Sequence, residues 1–196
     1  MINQNFISIY DDILSKEYCD IIINEFESKL DLHHKGTVGN SKVKPEIKTS
    51  TDISYRTTNN CDTVSIILNT LELGINEYRN NYPDIDHIGS WTIDSLFNIQ
   101  KYKPNEAYFG SHCESASIRS CKRVLAWMIY LNTVNDNGGT RFPTYDLTIN
   151  ARMGRLVIWP AYWTHQHHGI VSETETKYIA TGWHIFTRLD KTLKTL

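Results

Sequence analysis

Apolar positions recur every three to four residues in two early stretches of the chain, and every second residue in most of the later ones. From Ser15 onward, Cys19, Ile22, Ile23, Phe26 and Leu30 fall on one side of a helix. Ser15 is the expected N-cap, with Glu17 in the first turn. Ahead of that helix, Asn3 to Tyr10 alternates apolar and polar residues as a short strand does. Periodicity fades between Asp31 and Thr58, where Gly36, Gly39 and Pro45 predict a loop region with room for short strands. A second amphipathic helix is predicted from Cys61 to Tyr82, with Val64, Ile67, Leu68, Leu71, Leu73 and Ile75 as its apolar side. Tyr82-Pro83 ends it, because proline disfavours helical backbone in the residue before it.

The texture changes near Trp91. Ser90 to Tyr102 alternates, placing Trp91, Ile93, Phe97 and Ile99 on one side. Val124 to Leu131 is an almost unbroken apolar run, as expected of a strand buried on both faces. Asn135 to Gly139 predicts a turn, and Arg155–Trp159, Thr164–Val171 and Lys177–Phe186 predict further strands. Helices first and many short strands afterwards predict an α+β chain with a sandwich or barrel core. With 196 residues and no internal repeat or linker, the expectation is one domain over 1–196. Its helical part runs to about residue 85, and its β core occupies about 90–188.

Charge and composition narrow the function. The formal net charge is -2 and no run of Lys and Arg forms a nucleic-acid footprint. The N-terminus lacks the basic start and apolar core of a secretion signal, and no apolar stretch is long enough to cross a bilayer. Cys19, Cys61, Cys113 and Cys121 are scattered without a CxxC, which suits a reducing compartment. The chain is therefore expected to be cytoplasmic, with no nucleic-acid or membrane partner; its oligomeric state is open.

The chemistry-bearing residues lie in the β half. On extended backbone, residues i and i+2 face the same way, so His112 and Glu114 can hold one ion between them. A distal histidine would complete a facial set of two imidazoles and one carboxylate, leaving three coordination positions open, which suits non-haem Fe(II) and oxygen chemistry. His165, His167 and His168 are all available; on a strand, His165 and His167 share a face. Lys177, Ile179, Thr181 and Trp183 alternate onto one face of the last strand. An inward lysine there needs an anionic partner, because an unpaired buried charge is strongly unfavourable.

In order, Tyr102, His112-x-Glu114, Arg123, Tyr130-Leu131-Asn132, Gly138-Gly139-Thr140-Arg141-Phe142, Gly154, His167 and Lys177 form a pattern. It resembles the prolyl 4-hydroxylase-like branch of the 2-oxoglutarate- and Fe(II)-dependent oxygenases. The resemblance implies a double-stranded β-helix (jelly-roll) core with the N-terminal helices packed against one sheet. It implies Fe(II) on His112, Glu114 and His167, the last favoured over His165 because Lys177 follows ten positions later. Tyr102 and Lys177 would take the far carboxylate of 2-oxoglutarate, with Tyr102 donating a hydrogen bond. His165, Thr181 and Trp183 are candidates to surround the ligands. O2 would be the second cosubstrate, with ascorbate as an accessory reductant. The family has Asp where this chain has Glu114, an equally hard ligand one methylene longer; halogenases of the family lack that carboxylate altogether.

The activity implied is hydroxylation, of a peptidyl proline first and of a free amino acid or small metabolite as the alternative. A non-catalytic jelly-roll binding module with a vestigial or structural metal is the reading from another class. The partner would be a peptide or protein substrate, or a small molecule. Residues 33–52 and 113–122 are expected to border the mouth of the barrel as mobile lids.

Overall fold

The computed structural model describes residues 2–39 and 42–187. The expected end of the β core at residue 188 lies outside them. The chain opens with β1 (Ile2–Gln4) and β2 (Ile7–Tyr10), followed by α1 (Lys16–Ser28), β3 (His34–Lys35), β4 (Thr51–Arg56) and α2 (Asp62–Asn81). The strands β5 (Trp91–Tyr102), β6 (Arg123–Tyr130), β7 (Thr140–Phe142), β8 (Leu147–Ile149), β9 (Leu156–Pro160), β10 (His168–Gly169) and β11 (Lys177–Phe186) complete it.

Antiparallel pairing builds one sheet in the order β1-β2-β9-β6-β11-β5-β4-β3 and a small one in the order β10-β7-β8. Both faces of the large sheet are covered. On one face, Leu125, Trp127, Ile129, Leu156, Ile158, Phe97 and Ile99 pack against Cys19, Ile22 and Phe26 of α1 and Val64, Ile67 and Leu71 of α2. Ile22 and Phe26 are fully buried, and such burial stabilises by roughly 2 kcal/mol per side chain. On the other face, Tyr102, Ala126, Met128, Tyr130, Val157, Trp159 and Ile179 meet Phe142 and Ile149 of the small sheet. The continuous apolar run of β6 follows from this, since its alternate residues feed two different cores. This is the jelly-roll arrangement, with the helices on the outer face of one sheet.

Local chemistry accounts for the element ends. The Ser15 hydroxyl accepts from the Tyr18 amide and caps α1 as expected. Cys61 makes no side-chain cap for α2; instead Glu25 of α1 accepts from the amide and hydroxyl of Thr63. The two helices are thus tied end to side by a carboxylate at a positive helix terminus. At Gly182, a Cβ would come within 2.5 Å of Trp127 on the paired strand.

Four sequence expectations change. Asn3 to Tyr10 is a hairpin of two strands, turned by Asn5 and Phe6 at positive φ. The N-terminal part contributes four strands to the large sheet in addition to its helices. Thr164–Val171 is not one strand: Trp163–His165 is a 3-10 turn and only His168–Gly169 pairs as β10. Leu73, placed on the apolar side of α2, is exposed.

Candidate metal and cosubstrate site

His112 and His167 are brought together by the backbone. Each donates its amide to the other's carbonyl, at 3.0 and 2.9 Å, in an isolated antiparallel bridge. The Glu114 amide donates to Ala161, which fixes the segment two residues on. As a result one ligand atom from each of His112, Glu114 and His167 lies within 4.8 Å of the others. His112 Nε2 is 3.4 Å and His167 Nε2 3.6 Å from Glu114 Oε1.

The outer nitrogens decide what the inner ones can do. His112 Nδ1 lies 2.9 Å from the Gly110 carbonyl, and His167 Nδ1 2.9 Å from the His165 carbonyl. A carbonyl only accepts, so in both rings Nδ1 carries the proton and Nε2 presents a lone pair. Two imidazole lone pairs and a carboxylate oxygen then converge on one point. Such an arrangement calls for a cation, and the histidine-to-carbonyl bonds are the usual supports of metal-binding imidazoles. Burial alone would raise the Glu114 carboxyl; with the imidazoles protonated, their contacts outweigh burial and hold it well below the usual range, and a cation would take that place when Nε2 of each ring is free. Burial pushes His167 down, toward the neutral form a metal needs. Tyr108 stacks on His112 at 3.7 Å between ring centroids, and Phe142 and Trp159 wall in His167.

Of the three distal candidates, His167 is the one that converges. The His165 ring turns away in the 3-10 turn, with Nε2 2.9 Å from the Asn5 carbonyl and the ring against Tyr145. Its contribution to the triad is its backbone carbonyl. Thr181 donates to the Trp127 carbonyl. Trp183 donates its indole N–H to Glu114 Oε2 at 2.7 Å.

Lys177 and Tyr102 are direct cross-strand partners on β11 and β5. The Lys177 ammonium is buried, 4.9 Å from the centre of the Tyr102 ring, and donates to the Gly138 carbonyl at 2.7 Å. Asn137 and Gly138 both sit at positive φ, the turn conformation that aims this carbonyl inward. Burial pulls the lysine down to about 8. Among the described residues, no carboxylate pairs with it, so it is a buried cation with hydrogen-bonding capacity to spare.

The Tyr102 hydroxyl does not behave as expected. Asp52 Oδ2 accepts from Gln100 Nε2 at 3.1 Å, which turns the Gln100 oxygen toward Tyr102, and the hydroxyl donates to that oxygen at 2.7 Å. Its proton is thus committed within the protein. Asp52 itself is held by Lys48 and Ser50 in a fully buried cluster. The sequence predicts a mobile loop over this stretch; Gln100 follows from the β5 alternation, but Lys48 and Asp52 carry no signal that separates them from surface charges. The stretch is also stitched down by Thr49 to Ala107 and by Phe109 and Gly110 to Ile47. Arg123, whose role the sequence left open, donates to both the carbonyl and Oε2 of Glu114 and lies 3.5 Å over the Trp183 ring.

Two cavities of about 480 and 400 Å³ lie on the helix side of the large sheet, around Leu71, Trp91 and His184 and around Tyr78, Leu125 and Phe186. Neither includes a triad residue.

Comparison with known proteins bears on the same strands. Residues 97–185 match the family described as the 2OG-Fe(II) oxygenase superfamily. A search of curated protein sequences gave no match. Among solved structures, a collagen prolyl hydroxylase of Paramecium Bursaria Chlorella virus-1, solved with 2OG, shares 19% identity over 93% of this chain and 97% of its own, with a TM-score of 0.71. A Pseudomonas putida prolyl-4-hydroxylase aligns at 14% identity over 91% and 92%, TM-score 0.72. A Trichoplax adhaerens prolyl hydroxylase, in complex with a hypoxia inducible factor peptide fragment, aligns at 14% over 93% and 84%, TM-score 0.74. At these identities the likeness to the solved structures is one of fold. The family match, in turn, runs from β5 through β11 and contains all three converging residues together with Tyr102 and Lys177. That similarity, over residues 97–185, supports a 2-oxoglutarate- and Fe(II)-dependent oxygenase domain built from these strands.

Proposed function

We propose that the chain hydroxylates a peptidyl proline, with Fe(II) held by His112, Glu114 and His167 and 2-oxoglutarate anchored by Lys177. The observation that carries this reading is the pairing of the His112–Glu114–His167 cluster with a buried ammonium that has no carboxylate partner among the described residues. Bound there, Fe(II) supplies O2 activation coupled to oxidative decarboxylation of 2-oxoglutarate to succinate and CO2. The chain's own part is to hold, orient and exclude water. Gly110 and His165 carbonyls keep Nε2 of both imidazoles deprotonated. Lys177 neutralises the far end of the keto acid by a charge-assisted hydrogen bond. Tyr102, whose hydroxyl donates to Gln100, would face that carboxylate as an aromatic wall and would donate to it only by releasing Gln100.

The peptide part of the reading rests on the rim. Phe109 lies three residues before His112, Ile118 four after Glu114, and Trp163 four before His167, and all three are exposed, Trp163 at 74%. Exposed apolar side chains this near the triad in sequence would suit an extended proline-rich segment, whose preformed backbone costs little entropy to bind. The solved relatives are prolyl hydroxylases, one of them with a peptide bound. The test is mass spectrometry of proline-rich peptides incubated with the protein, Fe(II), 2-oxoglutarate and O2. A gain of one oxygen on proline, lost in His112→Ala, is expected. Uncoupled succinate release with no proline product from any peptide would move the substrate to a small metabolite. No succinate at all would leave a binding module.

A further inference from the structure

Glu114 is one methylene longer than the aspartate of the family, and the residues around it give that methylene a purpose. Its two oxygens are in different hands. Oε2 accepts from Trp183 Nε1 at 2.7 Å and from Arg123 at 3.3 Å. Oε1 faces the two histidine nitrogens. Arg123 also donates to the Glu114 carbonyl at 3.2 Å, and its guanidinium lies 3.5 Å over the Trp183 ring, so donor, stack and backbone lock one another.

We propose that Arg123 and Trp183 form a clamp that divides the Glu114 carboxylate, keeping Oε2 for the protein and leaving Oε1 alone for the metal. The inference rests on the triad being the metal site. The clamp has a functional consequence. A flexible glutamate can bind a metal through both oxygens and would then fill one of the three open positions. Those three are what a two-point keto-acid chelate and O2 together require. Monodentate binding preserves them. Arg123 and Trp183 act through Glu114, so they are positioning residues.

The same geometry makes a counterintuitive statement about the family's own residue. On this backbone an aspartate at position 114 would be shorter by one carbon–carbon bond, and the clamp implies that it would not serve both Trp183 and a metal. Restoring it should weaken the site.

The experiment is Mn(II) binding to the full chain, followed by titration and by water-proton relaxation, with no turnover involved. Trp183→Phe keeps an aromatic ring for Arg123 to stack on and removes the N–H together with the five-membered ring of the indole. It should lower Mn(II) affinity roughly tenfold, as loss of outer partners of metal ligands does, and lower the number of metal-bound waters from about three toward two. Glu114→Asp should also lower affinity, by a similar factor. In the Glu114→Asp background, Trp183→Phe should cost less than about threefold, because its target oxygen has already gone. Equal losses from Trp183→Phe in both backgrounds, or an unchanged water count, overturn the clamp. His112→Ala and His167→Ala should each abolish Mn(II) binding; if binding survives both, the triad reading itself is wrong, and the two failures are thereby distinguished.

Discussion

Lys177 should weaken the fold it sits in, and that cost is measurable. The ammonium is buried at 5% exposure with one acceptor, the Gly138 carbonyl, and an aromatic face as company. Burial lowers it from its ordinary 10.5 to about 8, a difference worth roughly 3 kcal/mol against the charged folded form. The unfolded chain binds this proton more tightly. The penalty is therefore complete below pH 8, relieved as pH rises from 8 toward 10.5, and absent beyond. Lys177→Met keeps the length and apolar stem. At pH 7 it should stabilise the protein by about 2 kcal/mol once the lost Gly138 bond is deducted, and the advantage should shrink steadily above pH 8. Urea denaturation of both proteins at pH 7, 8 and 9 reads it out, and the difference between them cancels every other titrating group. The same substitution should remove 2-oxoglutarate. A dicarboxylate binds the protonated lysine, so wild-type affinity should fall about tenfold per pH unit above 8. Lys177→Met should bind roughly 30-fold or more weakly at pH 7 with no such slope. A variant that is less stable at pH 7 and binds 2-oxoglutarate like wild type would refute both the buried-cation reasoning and the role given to this residue.

Asp52→Ala should leave Lys48 buried without its partner, since both side chains are under 5% exposed, and should cost about 3–5 kcal/mol in thermal or urea unfolding; a loss under about 1 kcal/mol would mean that the pair is open to water. We further propose that the loop 113–122, with Ile118 at its exposed tip, closes over bound peptide. Tryptic cleavage after Arg119 or Lys122 should slow when Mn(II), 2-oxoglutarate and a proline peptide are added together, and an unchanged rate would count against a lid.

Much of the fold is legible along the chain because its long elements carry strong periods. The α1 stripe, the alternation of β5 and β11 and the double-sided β6 each announce which faces are covered. The short elements do not. Two- and three-residue strands such as β10 and β7 have no period to read. In β4, Ile53 and Tyr55 feed the helix-side core while Asp52 is buried on the opposite face; a buried acid in the register of a core position looks like a loop. The hairpin at Asn5-Phe6 was hidden because Phe6, an apolar residue at positive φ, carries none of the usual turn chemistry.

By itself the sequence determined the candidate ligand types, their order and the outward-or-inward parity of the long strands, since a side-chain period of two fixes which residues share a face. It named His112, Glu114, Tyr102 and Lys177, and it favoured His167 by its distance from Lys177. Only tertiary structure decided which nitrogen of each imidazole is free, because that depends on the carbonyls of Gly110 and His165 meeting Nδ1. It alone showed that the α2 N-terminus is capped from α1, that the Tyr102 hydroxyl donates to Gln100, and that Arg123 and Trp183 grip Glu114. The Glu25–Thr63 and Trp183–Glu114 bonds join segments distant in sequence, and the Tyr102–Gln100 bond, though only two residues long, depends on Asp52 of the neighbouring strand orienting the Gln100 amide. Their geometry is set by how sheets and helices pack, which no local pattern of residues encodes.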